Sequence, residues 1–284
     1  MNEQSPPQPA QAESPQPDHR VAGDRLFYTA LIVFGGSYVL LIAAMLLADM
    51  TYTTPAKIYQ TIISPEIRYS IWLSLISCTL TTIASLWVAV PIGYLMSRYE
   101  FKGKVWIDAL LDIPIVLPPL VIGLSLLILF RVLGEQGGVF DWLRDAVVFE
   151  VPGVILAQFM VACAFAVRTM RATFDQIPPR REQVALTLGC SRSQAFFNVV
   201  LPDAKRGTLA AATLAWARSL GEFGPILVFA GATPWRTEVL PTSVFLRMQA
   251  GDIEAALSVS LVMVLMAVAV LVLTRVLGLR KLAI

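Results

Sequence analysis

Six separate stretches of this chain are each long and apolar enough to cross a lipid bilayer, and that pattern constrains the fold more than any other feature. A bilayer core asks for about 20 apolar residues in helical form. The stretches lie at about 26–48, 70–95, 107–130, 151–170, 207–231 and 253–277. Pro114, Pro118 and Pro119 interrupt the third. Lipid offers backbone N–H and C=O groups no partner, so each crossing has to be a helix. The short alternating segments of a membrane barrel are missing from the sequence. Charged residues make up 15% of the chain, where a soluble domain carries about 25%. The fold class expected is an all-α integral membrane protein with six transmembrane helices, embedded in the lipid bilayer.

Orientation follows from the basic residues in alternate connections. Fifteen Lys and Arg fall on the side that holds both termini and the second and fourth connections, against 6 on the other. Both termini are therefore expected in the cytoplasm, an N-in/C-in multi-pass arrangement in the inner membrane. Arg218 belongs to neither side, because it lies within the fifth stretch. Residues 1–20 are rich in Pro, Gln, Glu and Ser and read as a disordered polar tail. They do not read as a secretory leader, which needs an apolar run directly after a short basic start. The first apolar run begins only at Leu26 and is expected to stay as an anchor. In the third connection, Phe140-Asp141-Trp142-Leu143 suggests a short interfacial helix with Trp142 as its anchor.

Several chemistries are excluded. Net charge is +2, which gives no reason to expect a nucleic-acid partner. Cys78, Cys163 and Cys190 show no metal-type spacing and read as small buried thiols. His19 is the single histidine, so a zinc site or a histidine-based triad is not expected. No phosphate-binding glycine loop and no catalytic motif is present, so the chain is not expected to be an enzyme.

The fourth connection stands out, with about 35 residues between Arg171 and Arg206 where a simple turn needs only a few. Pro178-Pro179 opens a helix, because proline is tolerated in the first turn. Val184, Ala185 and Leu188 recur at helical spacing, and Gly189 permits a chain reversal. Ser191 is a fair N-cap for a second helix over 192–200, which Leu201-Pro202 is expected to stop. The segment 178–202 thus reads as a basic helix–turn–helix on the cytoplasmic face.

Within it, Gln183-Val184-Ala185, three residues, Gly189, nine residues, Val199, one residue and Leu201-Pro202 resemble the EAA loop of binding-protein-dependent ABC importer permeases. The family pattern is E-A-A, three residues, G, nine residues, I, one residue, L-P. Gln183 stands where the family has Glu, with Glu182 beside it, and Val184 and Val199 replace Ala and Ile. Two further stretches are similar to sulfate and molybdate permeases: Asp108 to Pro119, which resembles D-x-P-L-V-L-P-P from Asp112 onward with Ile115 in place of Leu, and Ala217 to Gly224, which resembles A-R-S-L-G-E-F-G.

The resemblance covers roughly 70–277 and implies a type I importer fold over 21–284. It implies that Glu182, Gln183, Val184, Ala185, Gly189, Val199, Leu201 and Pro202 dock on a cytoplasmic ATP-binding subunit. It also implies an extracytoplasmic oxyanion-binding protein and a second permease, either another copy or a sister chain. No cofactor is implied for this chain, since ATP is used by the partner. A basic knob joined to two membrane helices suits the transmission of a rigid-body motion.

Inside the membrane, Arg218 and Glu222 are four residues apart and can meet. A buried charge there asks for a partner or for water, so the two either neutralise each other or line the translocation path. Gly221, Gly224 and Pro225 weaken the fifth helix and allow close packing, as a gate or as a simple contact. Asp108 and Asp112 open the third helix, where the helix dipole favours negative charge, and Asp112 and Pro118 are candidates for the pathway. The leading expectation is an ATP-driven importer of molybdate, tungstate or sulfate. The alternative is a secondary, gradient-driven anion carrier, which would show two related halves that are not evident here.

Overall fold

The computed structural model describes residues 22–280, and every regular element among them is helical. The chain divides into two units at Asp49/Met50. The first is the body of helix α1, Ala22–Tyr52, whose stretch Phe27–Tyr52 has a mean hydropathy of 2.4. The second begins with the short helix α2, Pro55–Ile63, and the long helix α3, Pro65–Arg98. Then come α4, Lys104–Val116; α5, Pro119–Gly134; and α6, Val139–Val147. The long α7, Val151–Asp175, leads to α8, Pro179–Thr187, and α9, Arg192–Ala195. A π-helical turn, Phe196–Val200, joins α9 to α10, Leu201–Asp203. The chain closes with α11, Lys205–Leu220; α12, Gly224–Phe229; α13, Leu240–Gln249; and α14, Ile253–Arg280.

Four of these helices are each long and apolar enough to cross a membrane: α1, α3, α7 and α14. The α4–α5 pair passes the same test together, bent by 112°. Its break has a local cause. A residue before proline is pushed toward extended backbone. Leu117 precedes Pro118 and Pro118 precedes Pro119, so two successive residues are extended, with ψ of 139° and 133°. Pro114, expected to interrupt the helix as well, lies inside α4 without ending it. The stretch 207–231 is the larger departure from expectation. It is divided between α11 and α12 by a non-helical break at 221–223, and neither half is long enough to qualify alone. A short helix, α6, is present where an interfacial one was expected, with Trp142 exposed. The polar tail at 1–20 lies outside the described residues.

The second unit is organised around α7. Helix α3 runs parallel to it, since Thr81 bonds to Ile155 and Gln158 while Gly93 lies against Met170 and Arg171. Helix α11 runs antiparallel, with Ser219 near Gln158 and Gly207 against Thr173. One apolar cluster gathers Leu126, Phe130, Val154, Ile226 and Phe229 toward the start of α7. A second gathers Ala166, Met170, Phe174, Val200 and Ala211 toward its end. Small residues set the closest approaches. A Cβ on Gly123 would meet Pro225 Cα at 2.8 Å, and one on Gly224 would meet Leu120 N at 3.1 Å. The α5–α12 crossing therefore depends on glycine from both sides.

Candidate functional site

The 178–202 segment folds as expected at its start. Pro179 occupies the first turn of α8, and Gly189 takes φ of +91°, a conformation that costs glycine least. Ser191 caps α9 by accepting from the Gln194 N–H, and the Gln194 side chain accepts from the Ser191 N–H in return. The expected stop at Leu201-Pro202 is not there. Proline would clash with the carbonyl four residues back in a regular helix. The π turn shifts the register, so that the Leu201 N–H reaches Phe196 O, and the chain continues through Pro202 into α10 and on toward α11.

Glu182 is the pivot of the segment. The Tyr94 hydroxyl donates to Glu182 Oε1 at 2.5 Å, and Arg98 Nε lies 3.6 Å from Glu182 Oε2. Arg98 also donates to the Ile177 carbonyl at 2.8 Å. Tyr94 packs edge-on against Phe174 and Phe196, which ties α3, α7 and the π turn together. Arg181 pairs with Asp203 at 2.6 Å, closing α8 onto α10. Ala185 is buried beneath this arrangement. Val184, Leu188 and Phe197 point the other way and are exposed, Leu188 at 79%. Gln183, Gly189 and Pro202 are exposed too, and Val199 and Leu201 are half-buried. The segment is a knob whose charged root is fixed to the helices and whose apolar tip is open.

A second group lies between α4 and α7. Arg168 pairs with Asp112 at 3.0 Å, and Arg171 pairs with Asp108. Together with Met96, Leu111 and Asp175 they line a cavity of about 360 Å³. Helix α4 begins at Lys104 and has no acidic residue in its first turn, so the aspartates are not the helix-start charges expected; they are held across a helix pair.

The third group is the expected pair. Arg218 Nη2 lies 3.4 Å from Glu222 Oε2, although α11 ends at Leu220 and Glu222 stands in the break. Glu222 is 2% exposed, and among the described residues this oxygen accepts no hydrogen bond. Its compensation is the guanidinium, which also sits over the Phe165 ring at 5.6 Å. Gly221 has open space around it, whereas Gly224 packs on Pro119 beside Pro118.

Sequence reasoning brought Arg218 and Glu222 together because their spacing is local. It missed Tyr94, Arg98, Arg168 and Arg171 as partners. Nothing in the local pattern around Tyr94 points to a residue 88 positions away. Among the described residues, no three His, Cys, Asp or Glu side chains gather as metal ligands would.

Comparison with known proteins adds the family. The sulfate transport system permease protein CysT of Escherichia coli K12 is 33% identical over 219 residues, covering 76% of this chain and 77% of that protein. A probable molybdenum ABC transporter permease protein of Haloferax volcanii is 34% identical, covering 85% of each. The molybdate/tungstate transport system permease protein WtpB of Pyrococcus furiosus is 36% identical, covering 60% of this chain and 64% of that protein. Among solved structures, a bacterial alginate ABC transporter complex contains a chain that matches with a TM-score of 0.71 at 15% identity, over 91% of this chain and 96% of its own length, a likeness of fold. The family of binding-protein-dependent transport system inner membrane components matches residues 89–281. The chain belongs to that family: it is a multi-pass ABC transporter permease, a transport component and not an enzyme.

Proposed function

We propose that this permease moves a small tetrahedral oxyanion, of the sulfate, molybdate or tungstate class, into the cell on ATP hydrolysed by a partner subunit. The observation that carries the coupling part is the build of the α8–α9 knob. Its root is anchored to α3 by Glu182, while Val184, Leu188 and Phe197 stand free for a partner. An apolar tip on a rigid stem suits docking into a cleft and returning its motion to the membrane helices. Six crossings with both termini inside put the knob on the cytoplasmic face, where an ATPase works. The fifth crossing in this reading is α11 plus α12, broken at Glu222. Residues 21–284 form the permease domain, paired with a second permease and supplied by an extracytoplasmic binding protein. The substrate class rests on the names of the relatives and on the guanidiniums of Arg168, Arg171 and Arg218 along α7. A transported ion must be held weakly, so tight recognition belongs to the binding protein.

The test is reconstitution of the importer with its ATPase and binding protein. Oxyanion-dependent ATP hydrolysis and uptake are expected, with Leu188→Asp abolishing both while leaving the permease folded. Uptake driven by an ion gradient without ATP, or undiminished coupling in Leu188→Asp, would remove the proposal.

A further inference from the structure

The arginines of the α4–α7 cavity have so far been taken only as a sign of the substrate class, and the cavity itself has been given no step. We infer that Arg168 and Arg171, faced by Asp112 and Asp108, form a transit site at which a small tetrahedral dianion replaces the carboxylates on the two guanidiniums. This rests on the reading that the chain carries such an anion.

Four observations support it. The cavity of about 360 Å³ is lined by all four side chains. At roughly 30 Å³ per water it has room for about ten waters, hence for an anion that keeps part of its hydration. Arg168 and Arg171 are three residues apart on α7, about 4.5 Å along the axis. Both side chains line the one cavity, where each guanidinium fork can grip an edge of a tetrahedral oxyanion. The carboxylates opposite are not buried, so parting them from the arginines costs little. Finally, the Arg218 guanidinium rests over Phe165, three residues before Arg168. Two cations of α7 and one of α11 thus lie along the same helix, and each has its own carboxylate.

This arrangement answers a difficulty of anion transport. Bare guanidiniums would trap a dianion, and an uncharged path would reject it. Paired guanidiniums accept it by exchange: the anion gains two forks while the aspartates return to water, and the reverse step releases it. Net affinity stays low, as conduction requires.

The site can be tested in the reconstituted importer with Cys78, Cys163 and Cys190 replaced and Ala172→Cys introduced, because Ala172 lines the cavity. A neutral thiol reagent reports access, and ATP-dependent uptake in the same preparation reports folding and function. Sulfate, molybdate or tungstate at millimolar concentration should slow labelling roughly threefold or more, matching a site of about millimolar Kd. Chloride at equal ionic strength should not, and Arg168→Gln with Arg171→Gln should abolish the protection. Equal protection by chloride, or protection that survives the double substitution, overturns the inference. Uptake without protection overturns it while sparing the transport reading; protection without uptake does the reverse.

Discussion

The root of the α8–α9 knob and the α4–α7 cavity are both built from arginine and carboxylate, yet they are opposite kinds of structure. Arg98 and Glu182 are 9% and 14% exposed, and each has a further hydrogen-bond partner. Arg168 and Asp112 are 65% and 34% exposed and face open space. A buried pair cannot lose one member without stranding a charge, whereas a wet pair exchanges its partner for water at little cost. The same chemistry is a weld in the first place and a latch in the second. A part that transmits force between subunits needs the weld, and a passage for ions needs the latch.

The largest effect should come from breaking the weld. Glu182→Ala leaves the enclosed Arg98 guanidinium without its carboxylate and the Tyr94 hydroxyl without its acceptor. A loss of about 3 kcal/mol is expected, the scale for removing one member of a buried pair. It should appear as a lower unfolding temperature of the purified permease and as ATP hydrolysis uncoupled from uptake. A variant of wild-type stability would show that the pair is no weld.

The second test separates packing from charge. Gly123→Ala drives a Cβ into the Pro225 backbone, and about 2 kcal/mol of destabilisation is expected, in the range for overpacking. Gly221→Ala is the matched control. Its nearest neighbour to a new Cβ is 3.9 Å away and its φ is −85°, which alanine adopts readily. Equal thermal losses in the two variants would mean that the α5–α12 crossing is not the tight contact the structure shows.

A third carboxylate extends the contrast to the turn before α13. Glu238 is buried and accepts from the Ser243 hydroxyl at 2.5 Å. Burial pushes its pKa above the ordinary 4.5, with Ser243 and Arg247 opposing the shift. A carboxyl raised in the folded state favours folding at low pH, and that contribution is lost as pH rises through the folded value. Glu238→Gln should therefore unfold at a higher temperature than the parent at pH 8, with the gap closing toward pH 4.5. A gap that widens on acidification would reverse the assignment.

How much of this was legible in the sequence depends on the range of each interaction. The Ser191 cap, the extended residues before Pro118 and Pro119, and the Arg218–Glu222 pair are all set within a few residues, and reading the chain finds them. The π turn at 196–200 is invisible locally. Its register follows from Phe196 packing on Tyr94 and Phe174, which lie on two other helices. The continuation through Pro202 is hidden for the same reason, and Leu201-Pro202 looks like a stop. The weld and the latch join residues 84 and 56 positions apart, so single positions suggested charge but not partners. Glu182, expected on the docking surface from its place in the motif, faces Arg98 and Tyr94 in the fold.

The smallest expected effect is the most discriminating. A double-mutant cycle with Arg168→Gln and Asp112→Asn should give a coupling energy below about 1 kcal/mol, because both groups are exposed. The coupling should shrink further in molar salt, where the screening length falls to about 3 Å, the separation of the pair. Yet uptake should fall much more than stability in Arg168→Gln, since a latch matters for passage and not for folding. A coupling as large as that of Arg98 with Glu182, insensitive to salt, would make both pairs welds. The difference in solvent access would then carry no functional meaning, and the cavity between α4 and α7 would be a packing defect with charged walls.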